Sequence, residues 1–244
     1  DWKNVQSAAD ELDMLVTSKN HDLKAARARH ADPDDWLFAL ISLQTQEGFL
    51  GAGNYGISRM NGGFASRPGV GVAPVGTWGA RWQADVQTLL VQRGAIADQQ
   101  GYSADGGHAL LWLLPWAGTE SLSMASLDPL YIEVCRRVRL FADGGRLAAR
   151  VTGSRAARIA SKERNGITGD PWTPVDPAEG KALTVSSAGF EYKLMADLLT
   201  SGRFAQGAAW RLDGWPCDAS LQVVAQAAVR GQGLPAEPHA VASA

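Results

Sequence analysis

The chain has only two cysteines, Cys135 and Cys217, and they lie far apart. That excludes a disulfide framework, offers no zinc-site spacing, and predicts a reducing, cytoplasmic setting. No apolar run approaches the ~18 residues that a membrane-spanning helix needs. The most apolar piece, Leu110 to Trp116, is far shorter, so no membrane partner is expected. No signal-peptide pattern is present. The chain opens at Asp1 rather than at Met, and a fragment or trimmed form is expected. The four histidines, His21, His30, His108 and His239, show no metal-ligand spacing, and neither metal nor other cofactor is expected. His108, at the start of the apolar run, is expected to be a core residue. A G-x-S-x-G elbow and a P-loop are both missing. Charge of one sign is lacking too: the net charge is −2, so composition alone does not predict nucleic-acid binding. No internal repeat is found.

What is there begins with an ordinary globular composition, 45% hydrophobic and 20% charged, with nine tryptophans. Tryptophan buries much area, so most are expected in core or domain contacts. The length of 244 residues allows one large or two small domains. The most informative stretch is Gly51 to Gly63, with five glycines, two asparagines, a serine, an arginine and a tyrosine in thirteen positions. Glycine lets backbone approach a ligand closely. Asn54, Asn61, Ser58 and Arg59 offer donors that suit phosphates and base edges.

Gly51, Gly53 and Gly56 also match the dinucleotide fingerprint, which requires a strand before it and a helix after it. Trp36 to Gln46 before it reads as a buried helix, with Asp34 or Asp35 as its cap. Ile57 to Gly71 after it holds too much Gly and Pro for a helix. A nucleotide- or phosphate-binding enzyme using this loop therefore stands as an alternative, as does a purely structural loop.

The rest of the chain predicts an α+β protein: mixed helices and short antiparallel strands joined by long Gly-rich loops. Thr17 to Asp35 reads as a loop with a short helix at Leu23 to Arg29. Gly79 to Arg93 has helical spacing, and Gln99 to Gly107 is turn-rich. His108 to Trp116 is a short helix or strand. Leu130 to Phe141 reads as one strand pairing with Gly145 to Thr152 through the hairpin signal Asp143-Gly144-Gly145. Ala182 to Val185 reads as a short strand and Gly189 to Thr200 as a helix. Residues 1–230 form the expected domain, and the Pro/Ala-rich tail 231–244 is expected to lack structure.

Basic residues cluster. Arg136, Arg137, Arg139, Arg146, Arg150, Arg155, Arg158, Lys162 and Arg164 are opposed only by Asp143 and Glu163. Alternate strand positions share a face, so Arg137 and Arg139 project together, as a phosphate cradle or as a solvated face. Lys19, His21, Lys24, Arg27, Arg29 and His30 form a second cluster. Against these, Asp170 with Asp176, or His108 with Asp105 and Ser103, offer only weak acid–base constellations. A non-catalytic protein is expected.

Three stretches carry a resemblance: Trp36 to Gly71, Leu127-Asp128-Pro129 through Arg150, and Gly169-Asp170-Pro171-Trp172 through Leu199. On these residues the sequence resembles the CasA family, the large subunit of the type I-E CRISPR interference complex (Cascade). The resemblance implies a non-catalytic subunit of a ribonucleoprotein complex in antiviral defence. Its implied partners are double-stranded DNA bearing a protospacer-adjacent motif (PAM), crRNA, other Cascade subunits and a recruited helicase-nuclease. It implies PAM reading through the glycine loop: Gly51, Gly53, Asn54, Tyr55 and Gly56, with Ser58, Arg59 and Asn61 nearby. A PAM-contacting lysine corresponds to Lys181. The family's loop that contacts the crRNA handle and neighbouring subunits corresponds to Thr17 to Arg29, with Lys19, Asn20, His21, Lys24 and Arg27. Arg137, Arg139, Arg155 and Arg158 are expected to meet phosphates. Replacing Arg59 or Lys19 is then expected to weaken binding and flatten its salt dependence. Family members are longer and end in a helical bundle with a duplex-opening wedge. No counterpart of that wedge is found here, so a truncated or compact form is implied.

Overall fold

A computed structural model describes residues 2–12, 31–61, 66–186, 188–211, 220–229 and 237–239. Helices and short, mostly antiparallel strands in small sheets make it an α+β protein. The elements run β1 (Asn4–Gln6), α1 (Pro33–Gln46), β2 (Ser66–Pro74), α2 (Trp78–Gln100), β3 (His108–Leu110), β4 (Leu127–Ile132), β5 (Arg137–Asp143) and β6 (Arg146–Thr152). They continue with β7 (Val175–Asp176), β8 (Lys181–Ala182), α3 (Tyr192–Leu199), β9 (Leu221–Val229) and β10 (Glu237–His239). Short 3-10 turns punctuate the connections.

Helix α1 starts where the sequence supplies start signals. Pro33 occupies its first turn, Asp32 is the N-cap, and the Asp35 carboxylate accepts the Asp32 N–H at 2.8 Å. The cap is thus two residues before Asp34 and three before Asp35, and Asp35 plays the reciprocal role in a capping box. The helix lays Trp36, Ala39 and Leu43 on the sheet β1-β6-β5, whose inner face offers Val138, Leu140, Leu147, Ala149 and Val151. Strands β5 and β6 pair from Arg137↔Thr152 to Asp143↔Arg146. Gly144 and Gly145 between them both have positive φ, 56° and 84°. This is the two-residue turn whose twist matches a hairpin, as the Asp-Gly-Gly signal predicts.

The strand expected over Leu130 to Phe141 is instead two strands. Strand β4 pairs with β3 in parallel, and β5 pairs with β6. Between them the chain changes partner and docks on the end of α1. The Gln44 side chain bonds both the N–H and the carbonyl of Arg136, and Arg136 Nη2 donates to the Gly48 carbonyl at 2.7 Å.

Strand β2 is the clearest departure from the sequence reading, which found too much Gly and Pro in Ile57 to Gly71 for a helix and assigned no strand there. It pairs with β9 over nine residues in a sheet ordered β10-β9-β2. An edge strand tolerates Pro68, which has no N–H to give. Gly71 is needed for close approach: a Cβ there would lie 2.9 Å from Ala209 Cβ. The tail expected to lack structure contributes β10, paired with β9.

Helix α2 is longer than its predicted Gly79 to Arg93. Thr77 caps it by accepting the Ala80 N–H, and Gly101, at φ 75°, closes it. Ile96 and Ala97 in its second half join a core built on Leu111, Leu127 and Tyr131, and Thr88 near its middle is buried too. Its first half leaves Trp78 and Trp82 exposed. Those two tryptophans are therefore outside the core that the composition predicts for them. His108 also sits exposed at the edge of β3 rather than in the core. The helix α3 stands within the predicted Gly189 to Thr200, and of the predicted strand Ala182 to Val185 only Ala182 lies in a strand, as the last residue of β8.

Candidate nucleic-acid interface

The outer face of the β5–β6 hairpin carries the exposed charge. With Val138, Leu140, Ala149 and Val151 packed inward under α1, alternation turns Arg137, Arg139, Arg146 and Arg150 outward. Arg139 and Arg150 stand directly opposite each other across the strands, and both are exposed. Like charges in that position repel, and no carboxylate among the described residues forms an ion pair with either. Arg150 lies over the Phe141 ring at 4.8 Å and Arg137 over the Trp2 ring at 4.9 Å. The aromatic faces hold the guanidiniums out in an ordered array without neutralising them.

The tip of the glycine loop meets the end of this hairpin. Ser154 N–H donates to the Gly53 carbonyl at 3.0 Å, and Arg137 Nη1 donates to the neighbouring Gly153 carbonyl. Tyr55 Oη donates to the Arg155 carbonyl at 3.2 Å. Two features far apart in sequence are thereby brought together, with Ala52, Asn54 and Arg155 exposed around the junction.

The glycines themselves serve internal packing. Gly51 and Gly53 adopt φ of 104° and 83°, the left-handed region that favours glycine. A Cβ on Gly56 would fall 2.5 Å from the Gly48 backbone carbon. Gly56→Ala is therefore expected to lower stability by about 1–3 kcal/mol through overpacking, read as a lower denaturant midpoint. An unchanged midpoint would show that the Gly48 strand of the loop yields freely.

Several predicted contact residues are not at the surface. Ser58 and Arg59 are buried. Ser58 N–H and Oγ both donate to the Glu133 carboxylate, at 2.6 and 2.8 Å, and Ser58 Oγ lies 2.5 Å from Tyr131 Oη. Arg59 Nη2 donates to the Tyr131 carbonyl at 3.1 Å, and its guanidinium sits 4.1 Å from the centre of the Tyr131 ring. Arg158 is also buried, donating to the Leu111 and Leu114 carbonyls beneath Trp116. These three side chains brace the fold and are corrected out of the contact surface. Asn61 is half-buried. Lys181 is partly exposed, with its ammonium 3.1 Å from Glu179. Lys19, Asn20, His21, Lys24 and Arg27, with the short helix expected there, lie outside the described residues.

The buried network that the sequence reading missed is Glu133, Tyr131, Asp170 and Arg67. Burial raises the Glu133 pKa, against the pull of the Ser58 N–H and Arg59. Burial also raises Tyr131 well above an ordinary phenol. For Asp170 burial works upward, but Arg67, Arg59 and the Trp172 N–H outweigh it and hold the carboxyl below its ordinary range. A usable signal was present: Leu127, Pro129, Tyr131, Glu133 and Cys135 are buried at strict alternation, which places a glutamate on the core side.

The rival constellations do not assemble. Asp170 pairs with Arg67 and Asp176 with Arg203. Ser103 Oγ donates to the Asp105 backbone carbonyl. The glycine loop follows helix α1 and precedes strand β2, the reverse of the order that a dinucleotide fingerprint requires. Among the described residues no group of three or more His, Cys, Asp or Glu is placed to hold a metal ion, and no helix is long and apolar enough to cross a membrane.

Comparison with protein-family models, curated proteins and solved structures finds no match. The functional reading therefore rests on the geometry above and on the residues that carry the resemblance.

Proposed function

We propose that the chain is a non-catalytic, CasA-like subunit of an RNA-guided complex in antiviral defence, which binds duplex DNA beside the PAM and contacts crRNA phosphates. The observation that carries the nucleic-acid part is the outer hairpin face, where Arg139 opposes Arg150 without a carboxylate partner among the described residues. A fold that keeps a repulsive pair costs itself stability, and a polyanion offsets that cost. Within this reading the exposed loop tip, Ala52 and Asn54 beside Arg155, approaches a groove, and the hairpin arginines follow the backbone.

The test is duplex binding by the full chain across a salt series. Arg139→Ala/Arg150→Ala is expected to weaken binding and reduce the salt slope by about 2, one per lost phosphate contact. The same variant is expected to melt no lower than the parent, because a cross-strand repulsion is relieved. An unchanged slope would remove this face from the interface. PAM reading is tested in the assembled crRNA complex with duplexes differing only in the three flanking base pairs, and equal affinity for every flank defeats it.

A second reading is favoured by one observation. Trp78 and Trp82 are exposed on the first turns of α2, as a structural subunit that docks protein partners would present them. Stable assembly without any preference for nucleic acid would select it.

A further inference from the structure

A cleft of about 480 Å³ opens between the glycine-loop segment and the turn at Ser161 and Lys162. Its walls are Phe49, Tyr55, Ile57 and Met60, with Ser161 and Lys162 as polar residues of its lining. The Phe49 and Tyr55 rings are tilted at 51° with centroids 6.0 Å apart, so they do not stack on each other, and Phe49 is partly exposed. Lys162 is exposed and forms no ion pair among the described residues.

A cavity of this size, walled by aromatic and apolar groups with a few polar ones, suits a small planar ligand. A cation at its mouth adds a place for a phosphate. The Tyr55 wall joins the cleft to the arginine face, because Tyr55 Oη is bonded to the Arg155 carbonyl.

We infer that this cleft takes the unpaired base of a nucleotide, stacked against Phe49, with its phosphate toward Lys162. The inference rests on the nucleic-acid reading for one of its two sources, a single strand running over the arginine face; the other source is a free nucleotide. Base–aromatic stacking tolerates any base, so the pocket adds affinity for unpaired nucleotides without a sequence preference. It differs from a dinucleotide fold, since the phosphate faces a lysine rather than a helix N-terminus.

The experiment compares the full chain's affinity for a single-stranded oligonucleotide with that for an abasic strand of equal length and charge, and titrates a nucleoside monophosphate alongside. The expected result is a preference for the base-bearing strand of about tenfold or more. Phe49→Leu is expected to abolish that preference and keep the salt slope, while Phe49→Tyr, which keeps a ring, retains it. Saturable monophosphate binding that Phe49→Leu removes, with no preference between strands, supports the pocket and assigns it to free nucleotide. Equal affinity for both strands and no monophosphate binding overturns the pocket and leaves the arginine face standing. No binding of any of the three overturns both.

Discussion

Arg59→Met is expected to destabilise the fold by about 3 kcal/mol or more while leaving the salt dependence of nucleic-acid binding where it was. The side chain is buried and donates to the Tyr131 carbonyl. A hydrogen bond from a charged group contributes about 1.5–3 kcal/mol, and a desolvated cation–π contact about 2. Methionine fills much of the space but supplies neither. The loss also reaches Glu133, whose raised pKa is held down in part by Arg59. Without that cation the carboxyl shifts further upward. A carboxyl that binds its proton more tightly in the folded state than in the unfolded one favours folding at low pH, and that stabilisation is lost as pH rises through the folded pKa. The variant should therefore lose stability more steeply than the parent on the way up from the ordinary glutamate range. Equilibrium denaturation at several pH values reads both effects. An unchanged midpoint together with a flattened salt slope would return Arg59 to the surface.

This reverses what the glycine-loop sequence suggests. An arginine among glycines and asparagines reads as a donor to a ligand because composition reports exposure only on average. Its direction is set by what lies across from it, and here that is Tyr131 and Glu133, more than seventy residues away in sequence. Short-range signals were legible: the helix before the glycine loop (though not its Asp32-Pro33 start), the Asp-Gly-Gly turn, and the alternation that puts Arg137 and Arg139 on one face. Strand β2 was not, because Pro68 and Gly71 are loop residues by propensity and strand residues only through edge position and the approach of Ala209. The meeting of Gly53 with Gly153 and Ser154 was equally hidden. No local pattern encodes which hairpin end a glycine loop will touch, yet that contact is what joins the glycine loop and the hairpin arginines into one candidate surface.

The surface and the buried network divide the arginines by what opposes them. Arg139 and Arg150 stand on solvent-facing positions of two short strands joined by a glycine turn, and no carboxylate among the described residues forms an ion pair with either. Arg59, Arg136 and Arg158 each find backbone carbonyls at the ends of other elements. A binding interface is expected from the first group and rigidity from the second, so substitutions in the two groups should separate cleanly into salt-slope effects and stability effects.

Asp170→Ala is expected to cost about 3–5 kcal/mol, the range for removing one partner of a buried ion pair. The Asp170 side chain is almost fully enclosed, and Arg67 reaches it with Nε at 2.8 Å and Nη2 at 2.7 Å. The same guanidinium donates through Nη1 to the Thr45 carbonyl, so the pair ties β2, the end of α1 and the segment before Trp172 together. Removing the carboxylate leaves Arg67 partly buried without its counter-ion and frees the Trp172 N–H that Asp170 accepts. The acid dependence follows from the direction of the shift. Asp170 is held below the ordinary aspartate pKa by Arg67 and Arg59 against the effect of burial. Its stabilisation is therefore complete above the unfolded value near 3.8 and is lost as pH falls through the lower folded value. The parent should lose stability in that acidic window, and Asp170→Asn, which keeps the shape but carries no charge, should start lower and fall less there. Melting curves from neutral pH down to the acid limit measure the difference. Parallel pH profiles for parent and Asp170→Asn would mean that the Asp170 carboxyl binds its proton equally well in the folded and unfolded states, so that Arg67 does not favour its charged form.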